Sequence, residues 1–273
     1  MTPDEISEAA EALFAAERLN RQTGLLSQRY PGMTMNDAYA VQAALVERKI
    51  ASGRHRIGWK IGLTSRAMQD ALNIDTPDSG VLLDDMLFAS GALVPQGRFI
   101  QPRIEAEIAF VMKTPLAGAD CSEQDVIDAT DYVAPSLEIL DTRILRADPD
   151  TGTSRIITDT ISDNAANAGV VLGDRKHAIG SVDLRWTGAI VSRNGIVEET
   201  GLGAGVLNDP VTSVTWLARR MAQYDRQIAA GDIVLSGSFV RPIEAVPGSL
   251  IEADFGNFGS VSIRFGQSGS QKN

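Results

Sequence analysis

Apolar residues recur at helical spacing over the first fifty positions and then mostly at alternating spacing, punctuated by turn residues. Thr2-Pro3-Asp4-Glu5 forms a capping box with proline at the first helical position, and Ile6, Ala9, Ala10, Leu13 and Phe14 follow on one face. A second amphipathic helix starts at Thr34 or Asn36 and carries Ala38, Val41, Ala44, Leu45 and Ile50 towards Gly53. Two short helices bury too little surface alone, so this segment must pack on the rest of the chain.

From Arg56 the pattern changes to short β-like runs. Ile57, Trp59 and Ile61 share one side of a predicted strand, and Lys60 lies between glycines on the other. Further helices are predicted over Ser122–Tyr132 and from Pro210 through Val214, Leu217, Met221 and Ile228 to Gly231. Ser192-Arg193-Asn194-Gly195 between apolar runs predicts a type I′ hairpin. Strands are expected over Ile233–Pro242 and within Leu250–Phe265, and the polar, glycine-rich end reads as a loose tail. The expected class is α+β, with a helical segment over residues 1–55, a β-rich domain over 56–266 and a flexible tail over 267–273.

Composition narrows the partners. Hydrophobic residues make up 44% of 273 and charged residues 22%, which is ordinary for a globular chain. The 35 acids against 25 bases leave a net charge of −10, which argues against nucleic acid or an anionic membrane as partner. Cys121 is the single cysteine, so neither an intrachain disulfide nor a cysteine-rich zinc site is available. No apolar run has the length of a signal or transmembrane segment, and the expectation is a cytoplasmic protein. His55 and His177 lie in polar surroundings and read as surface residues.

The candidate chemistry centres on Pro102–Phe110, a predicted strand with Ile104, Ala106 and Ile108 on one face and Glu105 and Glu107 together on the other. If that face is buried, the two acids need positive charge beside them or one takes a proton. Glu138 interrupts another apolar run and is a third ligand candidate; three carboxylates without Cys or His favour Mg²⁺ or Mn²⁺ over zinc. The alternative is that Glu105 and Glu107 form the solvent face of a one-sided strand. Lys60, flanked by glycine, either meets a ligand closely or extends to water, and Asp78 either serves the site or only forms a turn beside Pro77. In Asp159–Gly169, acids and amides alternate with small residues, which suits a pocket wall, with Ser162 a candidate substrate contact, or equally a tightly packed helix cap. Ser238 and Arg241 close the strand from Ile233, where a carboxylate could be held.

Taken together, Gly58-Trp59-Lys60-Ile61-Gly62-Leu63-Thr64-Ser65, Asp78 with Leu82-Leu83-Asp84-Asp85-Met86, Glu105-Ala106-Glu107, Leu137-Glu138, Asp159–Gly169 and Gly237-Ser238-Phe239-Val240-Arg241-Pro242 resemble the hydratase/decarboxylase branch of the fumarylacetoacetate hydrolase superfamily. The resemblance runs from about Gly58 to Phe265 and more loosely through the helical start. It implies a mixed β-roll core, Mg²⁺ or Mn²⁺ on Glu105, Glu107 and Glu138, and Lys60 with Asp78 as acid–base pair. It also implies pentameric or decameric rings, and association with a related pathway enzyme. The implied reaction is addition of water to a 2-hydroxy-2,4-dienoate or its 2-oxo-4-enoate tautomer in aromatic catabolism. The Ser-Phe-x-Arg-Pro ending favours a seven-carbon dicarboxylate, with Ser238 on its C1 carboxylate and Arg241 on the distal one. Val240 departs from the threonine expected there. The alternatives are decarboxylation of 4-oxalocrotonate, hydration of 2-hydroxypenta-2,4-dienoate, and a non-catalytic partner subunit. A C–C bond hydrolase fits less well, since the histidine-glutamate arrangement of those relatives has no match here.

Overall fold

The computed structural model describes residues 1–66, 69–70 and 74–267. Apart from Gln267, the tail expected over 267–273 lies outside the described residues. Helix α1 (Pro3–Arg18) begins as its capping box dictates: Thr2 Oγ1 accepts from Glu5 N at 3.2 Å and Glu5 Oε2 accepts from Thr2 N at 2.7 Å. After the single turn α2 (Leu26–Arg29), helix α3 (Met35–Ala51) starts from an equivalent box between Thr34 and Asp37. Ala9, Ala10 and Leu13 pack with Val41, Leu45, Leu26 and Tyr30, and Ile144 from the central part of the chain completes this cluster. The N-terminal helices therefore do not bury their faces alone, as their length required.

The strands follow as β1 (Arg56–Gly62), β2 (Asp78–Leu83), β3 (Leu87–Ala89), β4 (Leu93–Val94) and β5 (Arg103–Met112). Helix α4 (Glu123–Ala129), strand β6 (Thr130–Leu140), helix α5 (Ile157–Ser162) and strands β7 (Asn167–Leu172), β8 (Gly188–Arg193) and β9 (Ile196–Leu202) come next. Helix α6 (Pro210–Ala222) and strands β10 (Ile233–Ser238), β11 (Ile243–Glu244), β12 (Leu250–Asp254) and β13 (Ser260–Phe265) finish the chain. The fold is α+β with mixed sheets. One has the order β2-β1-β10-β5-β6-β7-β3, with β11 also on β5, and the other the order β4-β13-β12-β8-β9. The β8–β9 turn is the expected one, with Asn194 and Gly195 at φ 53° and 78°.

Two helix lengths differ from expectation. Thr130 and Tyr132 leave the predicted helix to pair with Met112 and Val111, so α4 stops at Ala129. Pairing with β5 outweighs the helical spacing, as suits β-branched and aromatic residues. Helix α6 ends at Ala222 rather than near Gly231: Asp225 turns left-handed at φ 51°, and the Arg226 N–H reaches back to Met221 O at 3.0 Å. Ile228 is buried, but through a bridge to Leu116.

One face of the larger sheet carries Trp59, Ile61, Ile104, Ile108, Phe110 and Leu137 into the main core, shared with α6 and the second sheet. The opposite face divides: Leu82, Ala109, Val170, Ile233 and Leu235 form an apolar plug, and beyond it the same face turns acidic. The Asn164 side chain, just before β7, brackets Val81 in β2, accepting its N–H at 2.8 Å and donating to its carbonyl at 2.9 Å. Asn167, which opens β7, donates to the same carbonyl at 3.3 Å. This bracket needs Asn164, Ala165 and Ala166 in left-handed conformations at φ 52°, 53° and 57°, each costing roughly 1–2 kcal/mol. Buried Arg143 anchors the turn with bonds to Asp163 and to Asn167 O.

Candidate functional site

The acidic end of that face is built by strand register. Glu105 in β5 lies directly opposite Glu138 in β6, and Glu107 lies opposite Ser136. The ligand-capable oxygens of Glu105, Glu107 and Glu138 fall within 4.8 Å of one another. Glu107 and Glu138 have no exposure, so the reading of this face as a solvated one is excluded. A bulge in β10 between Leu235 and Ser238 turns the Gly237 N–H onto Glu107 Oε2 at 2.8 Å. Gly237 takes φ +112°, and a Cβ there would lie 2.3 Å from Thr64 Oγ1, so the bulge requires glycine.

Lys60 reaches the cluster from β1. Its Nζ stands 3.7 Å from Glu138 Oε1 and 3.7 Å from Asp78 Oδ1, and only 3% of the residue is exposed. The snorkelling alternative is thereby excluded. Asp78 opens β2 opposite Gly62, and a Cβ on Gly62 would sit 2.3 Å from Asp78 Oδ1 and 2.7 Å from Lys60 Nζ. Glycine at 62 is what lets the two groups meet.

Four carboxylates thus face one ammonium, all buried except the half-buried Glu105. Burial, reinforced by Glu138, pushes Glu105 up to about 8. Burial with Glu138 and Glu105 raises Glu107 well above the carboxylate range, and burial raises Glu138 and Asp78 against the pull of Lys60. For Lys60, burial opposes the charge, but Glu138 and Asp78, then Glu105 and Glu107, outweigh it and raise its pKa. The chain's own charges here are negative and so favour the ammonium.

The residues fit a hard divalent cation. Glu107 Oε1 and both oxygens of Glu138 are buried with no hydrogen-bond partner among the described residues, although buried carboxylate oxygens are otherwise paired. All three donors are carboxylates, the ligand type of Mg²⁺ and Mn²⁺. These unsatisfied oxygens are the strongest sign that the cluster is a metal centre.

The other sequence candidates are placed differently. Ser238 pairs with Glu107 in the ladder, but its hydroxyl is engaged locally, with Val240 O at 2.8 Å and Val240 N at 3.2 Å. Ser162 is buried in α5 and donates to Thr158 O at 2.8 Å. Arg241 is exposed and paired with Glu199 at 2.7 Å, beside a surface cleft. The structure thus brings together Lys60, Asp78, Glu105, Glu107 and Glu138, with Ser238 at their edge. His55 is exposed and meets Asp84, whereas His177 is half-buried, stacked on Phe258 with Nε2 2.8 Å from its carbonyl. A cavity of about 1190 Å³ opens beside the cluster, lined by Thr64, Pro77, Asn208, Thr212, Trp216 and Arg219 among others. The carboxylates do not line it; Thr64 packed on Gly237 and Pro77 next to Asp78 connect the two.

Sequence reasoning placed Gly237 and Asn164 in motif stretches without their bonding roles, and missed Arg143 and its pairing with Asp163. The density of small and amide residues over 159–169 was the available signal for Asn164.

No family model matches the chain. It is 52% identical over 256 residues to 2-oxo-hept-4-ene-1,7-dioate hydratase of Escherichia coli, covering 94% of this chain and 96% of that protein. The structure of 4-oxalocrotonate decarboxylase from Pseudomonas putida G7, complexed with magnesium and adipate, superposes with a TM-score of 0.90 at 35% identity, over 97% of this chain and 98% of that one. Fumarylpyruvate hydrolase from Pseudomonas aeruginosa, in complex with Mn²⁺ and pyruvate, shares the fold at 13% identity and a TM-score of 0.56, over 78% of this chain and 90% of that one.

Proposed function

The chain belongs to the hydratase/decarboxylase branch of the fumarylacetoacetate hydrolase superfamily, and from that membership we propose that it is a Mg²⁺- or Mn²⁺-dependent hydratase converting 2-oxo-hept-4-ene-1,7-dioate to 4-hydroxy-2-oxoheptanedioate. One observation carries the reading: the Lys60 ammonium lies 3.7 Å from both Asp78 and Glu138, so a proton-moving group is ion-paired at once to its acid–base partner and to one candidate metal ligand.

Glu105, Glu107 and Glu138 hold the cation in this reading. When bound, it supplies Lewis-acid polarisation of the oxygens of a 2-oxo acid. Lys60, its ammonium first passing a proton to the Asp78 carboxylate 3.7 Å away, takes a proton from C3 and returns one at C5, which moves the double bond into conjugation with the C2 carbonyl. C4 is then electrophilic; water adds its oxygen there and a proton goes to C3. Asp78 orients Lys60 or activates the water. The apolar plug of Leu82, Ala109, Val170, Ile233 and Leu235 closes the floor and keeps bulk water from that side.

Ser238 and Ser162 are assigned to substrate contacts, Ser238 at the C1 carboxylate. Arg241 takes the distal carboxylate by exchanging it for Glu199, an exposed pairing that costs little to give up. The cavity beside Thr64 and Pro77 is the proposed approach. Among the described residues no helix is long and apolar enough to cross a membrane. We place the enzyme in the cytoplasm as a homo-oligomeric ring, in breakdown of aromatic compounds by the homoprotocatechuate route, in association with a related pathway enzyme.

The test is to strip the protein with a chelator, restore Mg²⁺ or Mn²⁺ separately, and follow 2-hydroxyhepta-2,4-dienedioate by ultraviolet absorbance with mass analysis of the product. Metal-dependent gain of one water supports the hydratase. Loss of CO₂ replaces it with decarboxylation, the activity named for the protein that superposes at a TM-score of 0.90.

A further inference from the structure

Helix α3 does more than cover the sheet. Gln42, on its buried face, donates to Ser79 O at 2.9 Å and to Ile161 O at 3.0 Å, which clamps the helix onto the residue after Asp78. Tyr39 lies three positions earlier and so on the same face, one turn towards the N-terminus. Its ring is fixed from the other side by the Arg220 guanidinium, 4.5 Å from the ring centre.

The Tyr39 hydroxyl is buried and makes no hydrogen bond of acceptable geometry among the described residues, although it lies beside Ser79. Burial, and after it the Asp78 carboxylate, disfavours the phenolate, so this group is held as a neutral donor. Asp78 Oδ1 is a buried acceptor that also lacks a hydrogen-bond partner. A buried donor and a buried acceptor, neither with a direct hydrogen bond though Asp78 Oδ1 is ion-paired to Lys60 at 3.7 Å, are thus held at one Asp78–Ser79 step. Each such group costs about 1–3 kcal/mol unless something pairs it, and a bridging water satisfies both.

We propose that Tyr39 is a positioning residue for the acid–base pair, its hydroxyl holding the Asp78 carboxylate through a shared water, so that the N-terminal helical segment is part of the working site. The proposal rests on the reading of Asp78 as a member of that pair. The removal of one oxygen separates this role from a merely structural one. Loss of the hydroxyl leaves its water-mediated contact with Asp78 unmade, at a cost of about 1–3 kcal/mol that leaves the protein folded. If it positions Asp78, the same change lowers turnover.

The experiment uses metal-loaded full-length protein and its Tyr39→Phe variant. Expected are a kcat about ten- to a hundredfold lower with KM and Mg²⁺ affinity within about twofold, and a melting temperature lower by only a few degrees. Infrared difference spectra, with Asp78 assigned through Asp78→Asn, should show its carboxyl band shifted in Tyr39→Phe. An unshifted band overturns the inference, whatever reaction the enzyme performs, as does an unchanged kcat or a loss of activity that merely tracks lost folding. A parent protein that adds no water to the dienoate overturns the hydratase reading instead and leaves the infrared result to decide on Tyr39.

Discussion

Glu105 and Glu138 are direct cross-strand partners in the β5–β6 ladder, so two like charges occupy neighbouring positions on a buried face. Such a pair destabilises a sheet unless it is neutralised. The metal-free chain meets the problem by holding protons: Glu105 is pushed from 4.5 to about 8, by burial first and Glu138 second. Between those values the folded chain binds more protons than the unfolded one, so its stability falls as pH rises across the window. A divalent cation needs the ionised form, so its affinity rises across the same window. Groups held below their ordinary range, such as Asp84 and Asp125, act only at lower pH. The chelated protein should therefore melt lower near pH 8.5 than near pH 6, and Mg²⁺ at a hundred times its Kd should add about 2.7 kcal/mol, or roughly 5–10 °C. Glu138→Gln should melt higher than the parent without metal and lose the Mg²⁺ shift. Scanning calorimetry at the two pH values decides it; a metal-free form more stable at the higher pH is incompatible with this account.

Lys60 should be separable from metal binding. Replacing it by Ala removes the group assigned to proton transfer, which is worth about 10²–10⁴ in rate, while leaving all three carboxylates. It also removes the cation that competes for Glu138, so Mg²⁺ affinity should hold or rise. Titration calorimetry beside steady-state kinetics reads both; an unchanged rate removes Lys60 from the mechanism.

Gly62 and Gly237 test the architecture rather than the chemistry. Gly62 has an ordinary φ, so Gly62→Ala is tolerated by the backbone, yet its Cβ would fall 2.3 Å from Asp78 Oδ1. The expected variant melts within a few degrees of the parent but turns over at least tenfold more slowly. Gly237→Ala combines φ +112° with a clash against Thr64, so it should lose both stability and metal-dependent turnover. Equal behaviour of the two variants would mean that the Lys60–Asp78 contact has no special steric need.

What could be read in advance follows the range of the interactions. The capping boxes at Thr2 and Thr34 and the Asn194-Gly195 turn are local, and each stands where its residues predict. The pairing of Glu105 with Glu107 on one face follows from strand periodicity alone. That Glu138 joins them depends on the register of β6 against β5, which the run of apolar residues around it does not specify. The Gly237 N–H reaches Glu107 through a bulge 130 residues away, and β6 absorbs Thr130–Tyr132 because β5 is there to pair with. Arg241 looked suited to a carboxylate by its position after Ser238, and its pairing with Glu199 was invisible without the β9 strand beside it.

Asn164 acts on a strand 83 residues earlier in the chain. Its amide supplies both bonds that a neighbouring strand would otherwise give Val81, and it does so from a left-handed backbone. In Asn164→Ala the Val81 carbonyl keeps Asn167 at 3.3 Å, but the Val81 N–H is left buried without an acceptor, a loss of about 1–3 kcal/mol. Asn164→Asp retains the acceptor for that N–H and sets a second oxygen against the carbonyl, so it should fare no better. Because β2 also carries Asp78, loosening its bracket should lower kcat more than Mg²⁺ affinity, the ligands lying on β5 and β6. Denaturant unfolding with parallel metal titration measures both quantities. Weakened metal binding with normal kcat would place the influence of Asn164 on β7 and Glu138 instead of on the acid–base pair.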